Sequence, residues 1–132
     1  MTKTTDGNRY RSGLEREVAR QLHRSGRQFG YECEVIPYLK PAKTAKYNPD
    51  FILTKKDGTK MYIEAKGRFL TADRQKHLLV RAQHPEKDIR LLFQNGTEKI
   101  GKTSNTTYIM WCERKGIKYA VNSKIPKEWL EE

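Results

Sequence analysis

Two runs near the middle of the chain, Asp50 to Leu53 and Met61 to Lys66, constrain the fold more than any other feature, because only one pairing sorts their side chains. They flank a turn at Lys56-Asp57-Gly58. A three-residue loop with Gly58 in the left-handed conformation sets Asp50 opposite Glu64, Phe51 opposite Ile63 and Leu53 opposite Met61. One face of the hairpin then carries Phe51, Leu53, Met61, Ile63 and Ala65, and the other carries Asp50, Ile52, Tyr62, Glu64 and Lys66. A two-residue loop at Asp57-Gly58 would oppose Phe51 to Glu64 and mix both faces. The lead-in Asn48-Pro49-Asp50 supports the same frame, since Pro49 blocks helix and places the acid at a strand's entry.

Two carboxylates and a lysine on one hairpin face are costly to assemble without compensation, and a hard divalent cation supplies it. Mg²⁺ takes one or two carboxylates together with waters and substrate phosphate, and Asp50 with Glu64 provides such a pair. The backbone carbonyl of Ala65 can add a ligand. Lys66 follows Glu64 by two residues, on the same face and roughly 6–7 Å along the strand, where it could orient or help deprotonate an attacking water. These parts describe metal-assisted phosphodiester hydrolysis. The plainer alternative is a solvated strand face with alternating charges. Glu15 is likewise open to two readings, as the N3 member of a capping box or as an acid that caps and also faces a metal.

Around this hairpin the pattern predicts a mixed α/β domain with a central sheet. Residues 1–11 read as a flexible basic arm and 12–132 as one domain. Ser12-Gly13-Leu14-Glu15 opens a helix in which Leu14, Val18 and Leu22 repeat until Ser25-Gly26. Phe29 to Leu39 alternates Tyr31, Cys33 and Val35 with Glu32 and Glu34 as one half-buried strand, and Lys40 to Tyr47 reads as a connection. Thr71 caps a helix to about Gln83 with Leu78, Leu79 and Ala82 inward. A buried strand at Ile89 to Phe93, a helix from Thr107 to Lys115 ended by Gly116, a strand at Ile117 to Val121 and a turn at Pro126 to Leu130 complete the order. Trp111 and Trp129 are read as core anchors.

The 132 residues carry 27 Lys+Arg against 16 Asp+Glu, a formal charge of +11, which attracts phosphate. No apolar run approaches the roughly 20 residues of a membrane helix, and Met1-Thr2-Lys3-Thr4-Thr5-Asp6 lacks a signal peptide's apolar stretch, so no membrane association and a cytoplasmic location are expected. Cys33 and Cys112 are too few and too far apart for a disulfide framework or zinc knuckle and are expected to be reduced core thiols. His23, His77 and His84 have no metal-ligand spacing. Arg68, Arg74 and Lys76 follow the second hairpin strand, where they either hold the scissile backbone or form a solvated basic face.

Arg11-Ser12-Gly13-Leu14-Glu15, Asn48-Pro49-Asp50-Phe51-Ile52-Leu53 and Ile63-Glu64-Ala65-Lys66-Gly67 closely resemble the endonuclease I family of T-odd coliphages, Holliday-junction resolvases within the PD-(D/E)XK nuclease superfamily. Lys76-His77-Leu78-Leu79, Gln83-His84-Pro85, Asp88-Ile89-Arg90, Gly116-Ile117-Lys118 and Ile125-Pro126-Lys127-Glu128-Trp129 extend the likeness towards the C-terminus. The resemblance implies a restriction-endonuclease-like mixed sheet flanked by helices. It implies that Asp50 and Glu64 bind Mg²⁺ or Mn²⁺, that Lys66 assists the nucleophilic water, that Glu15 completes the acidic cluster and that the neighbourhood of Ser12 meets DNA. It also implies a domain-swapped homodimer acting on branched double-stranded DNA, with each site composite; residues 37–47 could be the bridge that exchanges segments. Two other functions stay open beside the junction-selective endonuclease. One is a non-enzymatic basic nucleic-acid-binding protein; the other is a nuclease of the same fold with sequence-specific or transposon-end nicking activity.

Overall fold

The computed structural model describes residues 10–40 and 43–132. The hairpin forms as β4 (Phe51–Thr54) and β5 (Lys60–Lys66), with Phe51 paired to Ile63 and Leu53 to Met61. Lys55 N–H donates to the Thr59 carbonyl at 2.7 Å, which leaves a three-residue loop, and Gly58 takes φ 90°, a conformation that glycine adopts without a Cβ clash.

The first helix, α1 (Gly13–Ser25), starts at Ser12, whose Oγ accepts from the Glu15 N–H, and stops at left-handed Gly26. β1 (Phe29–Tyr31) pairs antiparallel with β4, and α2 (Thr71–Gln83) leads from β5 to the parallel strand β6 (Asp88–Phe93). α3 (Tyr108–Lys115) connects β6 to β7 (Tyr119–Ala120), again parallel, and α4 (Lys127–Leu130) follows. The main sheet therefore runs β1-β4-β5-β6-β7, antiparallel at one side and parallel at the other. The expected mixed sheet flanked by helices is present.

Several expectations are corrected. Phe29 to Leu39 is not one strand: β1 stops at Tyr31, and β2 (Ile36–Lys40) pairs with β3 (Lys43–Tyr47) in a separate two-stranded sheet. The break lies at Glu32, whose φ of 49° turns the chain out of β1 while its N–H donates to the Asp50 carbonyl at 3.0 Å. Cys33 and Val35 are consequently exposed; Cys112 is the buried thiol, and both are free. The expected connection from Lys40 to Tyr47 instead contains the end of β2 and all of β3 (Lys43–Tyr47), whose period-2 pattern buries Tyr47 while Thr44 and Lys46 face outward. Residues 41–42 of the expected bridge, and 1–9 of the expected arm, lie outside the described residues. Within that arm, Tyr10 is buried, its ring edge-on to Tyr31 at 4.5 Å.

The hairpin's second face is not simply polar either. Phe51, Leu53, Met61 and Ile63 pack with Val18, Ala19 and Leu22 of α1 and with Trp129, whereas Ile52 and Tyr62 are buried on the opposite face among Ile36, Tyr38, Tyr47, Val80 and Ile89. The sheet is thus covered on both sides, and Asp50, Glu64 and Lys66 lie at one end of the hairpin. A third cluster, with Phe69, Phe93, Tyr108 and Trp111, packs α3 against the sheet. α2 is turned relative to expectation: His77 and Val80 face inward, Leu79 is partly buried, and Leu78 and Ala82 are exposed. The His77 ring takes the inward place between Tyr47 and Phe69, at centroid distances of 5.4 and 6.1 Å. β7 is shorter than Ile117 to Val121: the Ile117 N–H still donates to the Cys112 carbonyl at the end of α3, and after Val121 the positive φ of Asn122 and Ser123 turns the chain away. No helix among the described residues is long and apolar enough to cross a membrane.

Candidate active site

Asp50 immediately precedes β4, held there by two backbone contacts: its carbonyl accepts from Glu32, and its Oδ2 accepts from the Ala65 N–H of β5 at 3.0 Å. Glu15 approaches from the first turn of α1. Its Oε1 accepts from the Arg11 N–H at 2.7 Å and from the Tyr31 hydroxyl at 2.6 Å. Glu32, on the bend after β1, completes the group: Glu15, Glu32 and Asp50 each offer a carboxylate oxygen within 4.8 Å of the others. Arg11 Nη2 donates to Glu32 Oε1 at 3.0 Å, so a guanidinium borders the cluster.

Glu64 stands on β5 beside Asp50. Its Oε1 accepts from the Tyr47 hydroxyl at 2.9 Å, and its Oε2 lies 3.6 Å from Lys66 Nζ. Lys66 Nζ in turn donates to Asp73 Oδ1 at 3.0 Å, in the first turn of α2. Asp50, Glu64 and Lys66 therefore meet at one end of the sheet, as the hairpin register requires, with Glu15 brought to them by α1. Glu32, Tyr31, Tyr47 and Asp73 were not singled out from sequence. Only Glu32 had a visible signal, a charge alternating with aromatic and apolar neighbours, and that signal equally describes a solvated strand.

The electrostatics follow from crowding acids in a buried place. Burial, then the charges of Glu64 and Glu15, push the Asp50 carboxyl up to about 8, against the pull of the Ala65 N–H and Lys66. Burial also raises Glu64 above the usual carboxylate range although Lys66 and Tyr47 pull it down. Burial disfavours the Lys66 ammonium, but Glu64 and Asp73 overcome it and raise its pKa. Lys66 therefore stays charged, which suits it to orienting and charge stabilisation rather than to taking a proton. Tyr31 and Tyr47 are raised, first by burial and then by their glutamates, so both hydroxyls remain donors.

A hard divalent cation fits this donor set. Carboxylate oxygens converge, and the burial and like-charge proximity that raise the Asp50 pKa are what a cation offsets. Asp50, Glu15, Glu64 and Glu32 are the side chains that could hold one. Ala65 meets Asp50 through its N–H, and its carbonyl remains the expected backbone ligand.

The residues expected to contact DNA differ in their freedom. Arg68 is exposed and without a partner among the described residues. Lys76 lies near enough to Glu64 to lower its pKa. Arg74 spends its guanidinium on the Phe69 carbonyl at 2.6 Å and Thr71 Oγ1 at 3.0 Å, bracing the start of α2. Ser12 caps α1, and Arg11 is occupied as described.

A family model described as phage endonuclease I matches residues 1–132. The chain is 45% identical over 123 residues to Endonuclease I of Escherichia phage T7, covering 93% of this chain and 79% of the relative. It is 46% identical over 118 residues to Endodeoxyribonuclease 1 of Enterobacteria phage T3, covering 89% of this chain and 75% of the relative. With an acidic cluster and a lysine at the end of a mixed sheet, this chain is a nuclease that belongs to the phage endonuclease I family.

Proposed function

We propose that the protein is a structure-selective DNA endonuclease that hydrolyses phosphodiester bonds at four-way and other branched junctions, using Mg²⁺ or Mn²⁺ and acting as a homodimer in the cytoplasm. The observation that carries the reading is the convergence of Glu15, Glu32 and Asp50 oxygens within 4.8 Å, with Glu64 and the Lys66 ammonium alongside. When bound, the cation would supply Lewis-acid polarisation of the phosphoryl oxygen and a lower pKa for the attacking water.

The chain's own groups divide the remaining work. Lys66, held between Glu64 and Asp73, offers fixed positive charge to the oxygens that become more negative as phosphorus is attacked. Arg68 and Lys76 grip the backbone beside the scissile bond, and the +11 overall charge adds affinity that weakens with salt. One water is consumed: its oxygen bonds to phosphorus, the bond to the leaving sugar oxygen breaks, and of the water's two protons the equivalent of one ends on that sugar oxygen as a hydroxyl while the other passes to solvent.

Cutting opposed strands of a junction needs two sites in a fixed relation, which a dimer provides. The segment 37–47, most of the β2–β3 pair, is the proposed bridge through which two copies exchange their α1-bearing parts. The test is incubation with a synthetic four-way junction and its matched linear duplex, with Mg²⁺ and with chelator, resolved by strand. Metal-dependent symmetric nicks near the branch point support the reading. Equal cutting of the linear duplex favours a sequence-specific or end-nicking activity, and cutting that survives chelator removes the metal from it.

A further inference from the structure

Two tyrosines from different sheets treat the two glutamates alike. Tyr31, the last residue of β1, donates to Oε1 of Glu15 at 2.6 Å; Tyr47, the last residue of β3, donates to Oε1 of Glu64 at 2.9 Å. Packing fixes both rings. Tyr31 lies between Tyr10 and Phe51, at centroid distances of 4.5 and 5.3 Å, and Tyr47, 2% exposed, sits edge-on to His77 at 5.4 Å. Phenylalanine would fill the same space, so the hydroxyls rather than the rings need explaining. A glutamate's terminal torsion is broad and roughly two-fold, so its carboxylate swings unless something holds an oxygen. A rigid donor on one oxygen, joined at Glu15 by the Arg11 N–H on the same atom at 2.7 Å, fixes the plane and thereby the direction of the other.

We propose that Tyr31 and Tyr47 are positioning residues that hold the Glu15 and Glu64 carboxylates ready for a divalent cation, one tyrosine serving each glutamate. This rests on the metal reading above. Outer hydrogen bonds of this kind govern metal affinity as well as ligand orientation. The chain supplies its own control: Tyr62 donates to Glu34 Oε2 at 2.7 Å, the same bond made away from the acidic cluster.

The experiment is a direct Mn²⁺ titration of DNA-free protein, followed by electron paramagnetic resonance, on the parent and on Tyr31→Phe, Tyr47→Phe, Tyr62→Phe and Asp50→Ala. Circular dichroism establishes that each is folded, and junction binding is measured in chelator. Tyr31→Phe and Tyr47→Phe are expected to weaken Mn²⁺ binding roughly 10- to 100-fold, with junction affinity and the Tyr62→Phe isotherm unchanged. Should Tyr47→Phe not fold, Tyr31→Phe decides. Asp50-dependent binding in the parent that both Tyr31→Phe and Tyr47→Phe retain, or that Tyr62→Phe weakens equally, overturns the inference alone. A parent that binds no Mn²⁺, or binds it without Asp50, overturns the metal reading and this inference with it.

Discussion

Lys66 Nζ lies 3.0 Å from Asp73 Oδ1, so the lysine that ends β5 is tethered to the first turn of α2. The same carboxylate accepts from the Leu70 N–H at 3.0 Å through its other oxygen. Burial opposes the charged form of Asp73, yet Lys66 and the Leu70 N–H hold its pKa below the usual value, so both bonds stand at neutral pH.

Asp73→Ala therefore releases the ammonium and uncaps the helix together. The expected outcome is a loss of about 1 kcal/mol in stability and roughly 10-fold in kcat, with junction affinity in chelator no weaker. Urea titration and single-turnover cutting separate the two effects. A fall in stability with unchanged kcat reduces Asp73 to a cap.

The missed contact illustrates what was readable. Local rules sufficed where neighbours in sequence decide the outcome: Ser12 and Gly26 bound α1, Gly58 sets the β4–β5 register, and Thr107 and Gly116 bound α3. The register placed Asp50, Glu64 and Lys66 together before any tertiary information. Glu32 was lost because its role depends on a left-handed φ and a bond to the Asp50 carbonyl, neither of which alternation reveals. Tyr47 was lost because β3 resembles a polar linker until β2 folds against it. His77 is buried with both ring nitrogens unpartnered among the described groups, whereas Leu78 is exposed; hydrophobicity alone predicts the reverse.

The Asp50 carboxyl gives a pH prediction with a definite sign. Its folded value near 8 lies above its unfolded value near 3.9, so its contribution to stability is complete below about pH 4 and is lost as pH rises through 8. Linkage sets a ceiling of roughly 6 kcal/mol on that loss. In chelator at pH 8, Asp50→Asn should unfold later than the parent by about 1–3 kcal/mol, and the difference should shrink towards pH 5. Adding Mg²⁺ should raise the Tm of the parent but not of Asp50→Asn. A parent at least as stable as the variant at pH 8 in chelator would refute the cost of ionising Asp50 in this buried, acidic place.

Arg90 raises the opposite case, a buried charge that is fully paired. It is 0% exposed, meets Asp88 and Glu132 through bonds of 2.7 to 2.9 Å, and lies 5.2 Å from the centre of the Trp129 ring. Burial favours a higher Asp88 pKa, but Arg90 and Lys55 hold it at about 2. Arg90→Ala leaves Asp88 to Lys55 alone, frees Glu132 and removes the support under Trp129, for an expected loss of about 2–3 kcal/mol by urea denaturation. Arg90→Met, which keeps the stem's packing, should lose less. Equal losses would assign the effect to charge alone.

The proposed exchange between two copies yields a complementation test, because it changes which chains supply each site. In the single chain Glu15 and Asp50 carry neighbouring oxygens. In a swapped dimer the same neighbours come from different copies. Glu15→Ala and Asp50→Ala proteins are each expected to be inactive. When the two are co-expressed, a swapped heterodimer contains one site with both substitutions and one with neither, so metal-dependent nicking returns with about one quarter of the parental sites. The product should be a single nick per junction rather than paired cuts, since each heterodimer keeps one working site. Without exchange, every site carries one substitution and the mixture stays inactive. Recovered nicking therefore requires composite sites, and a silent mixture whose heterodimers are demonstrated by tagged co-purification rules the exchange out.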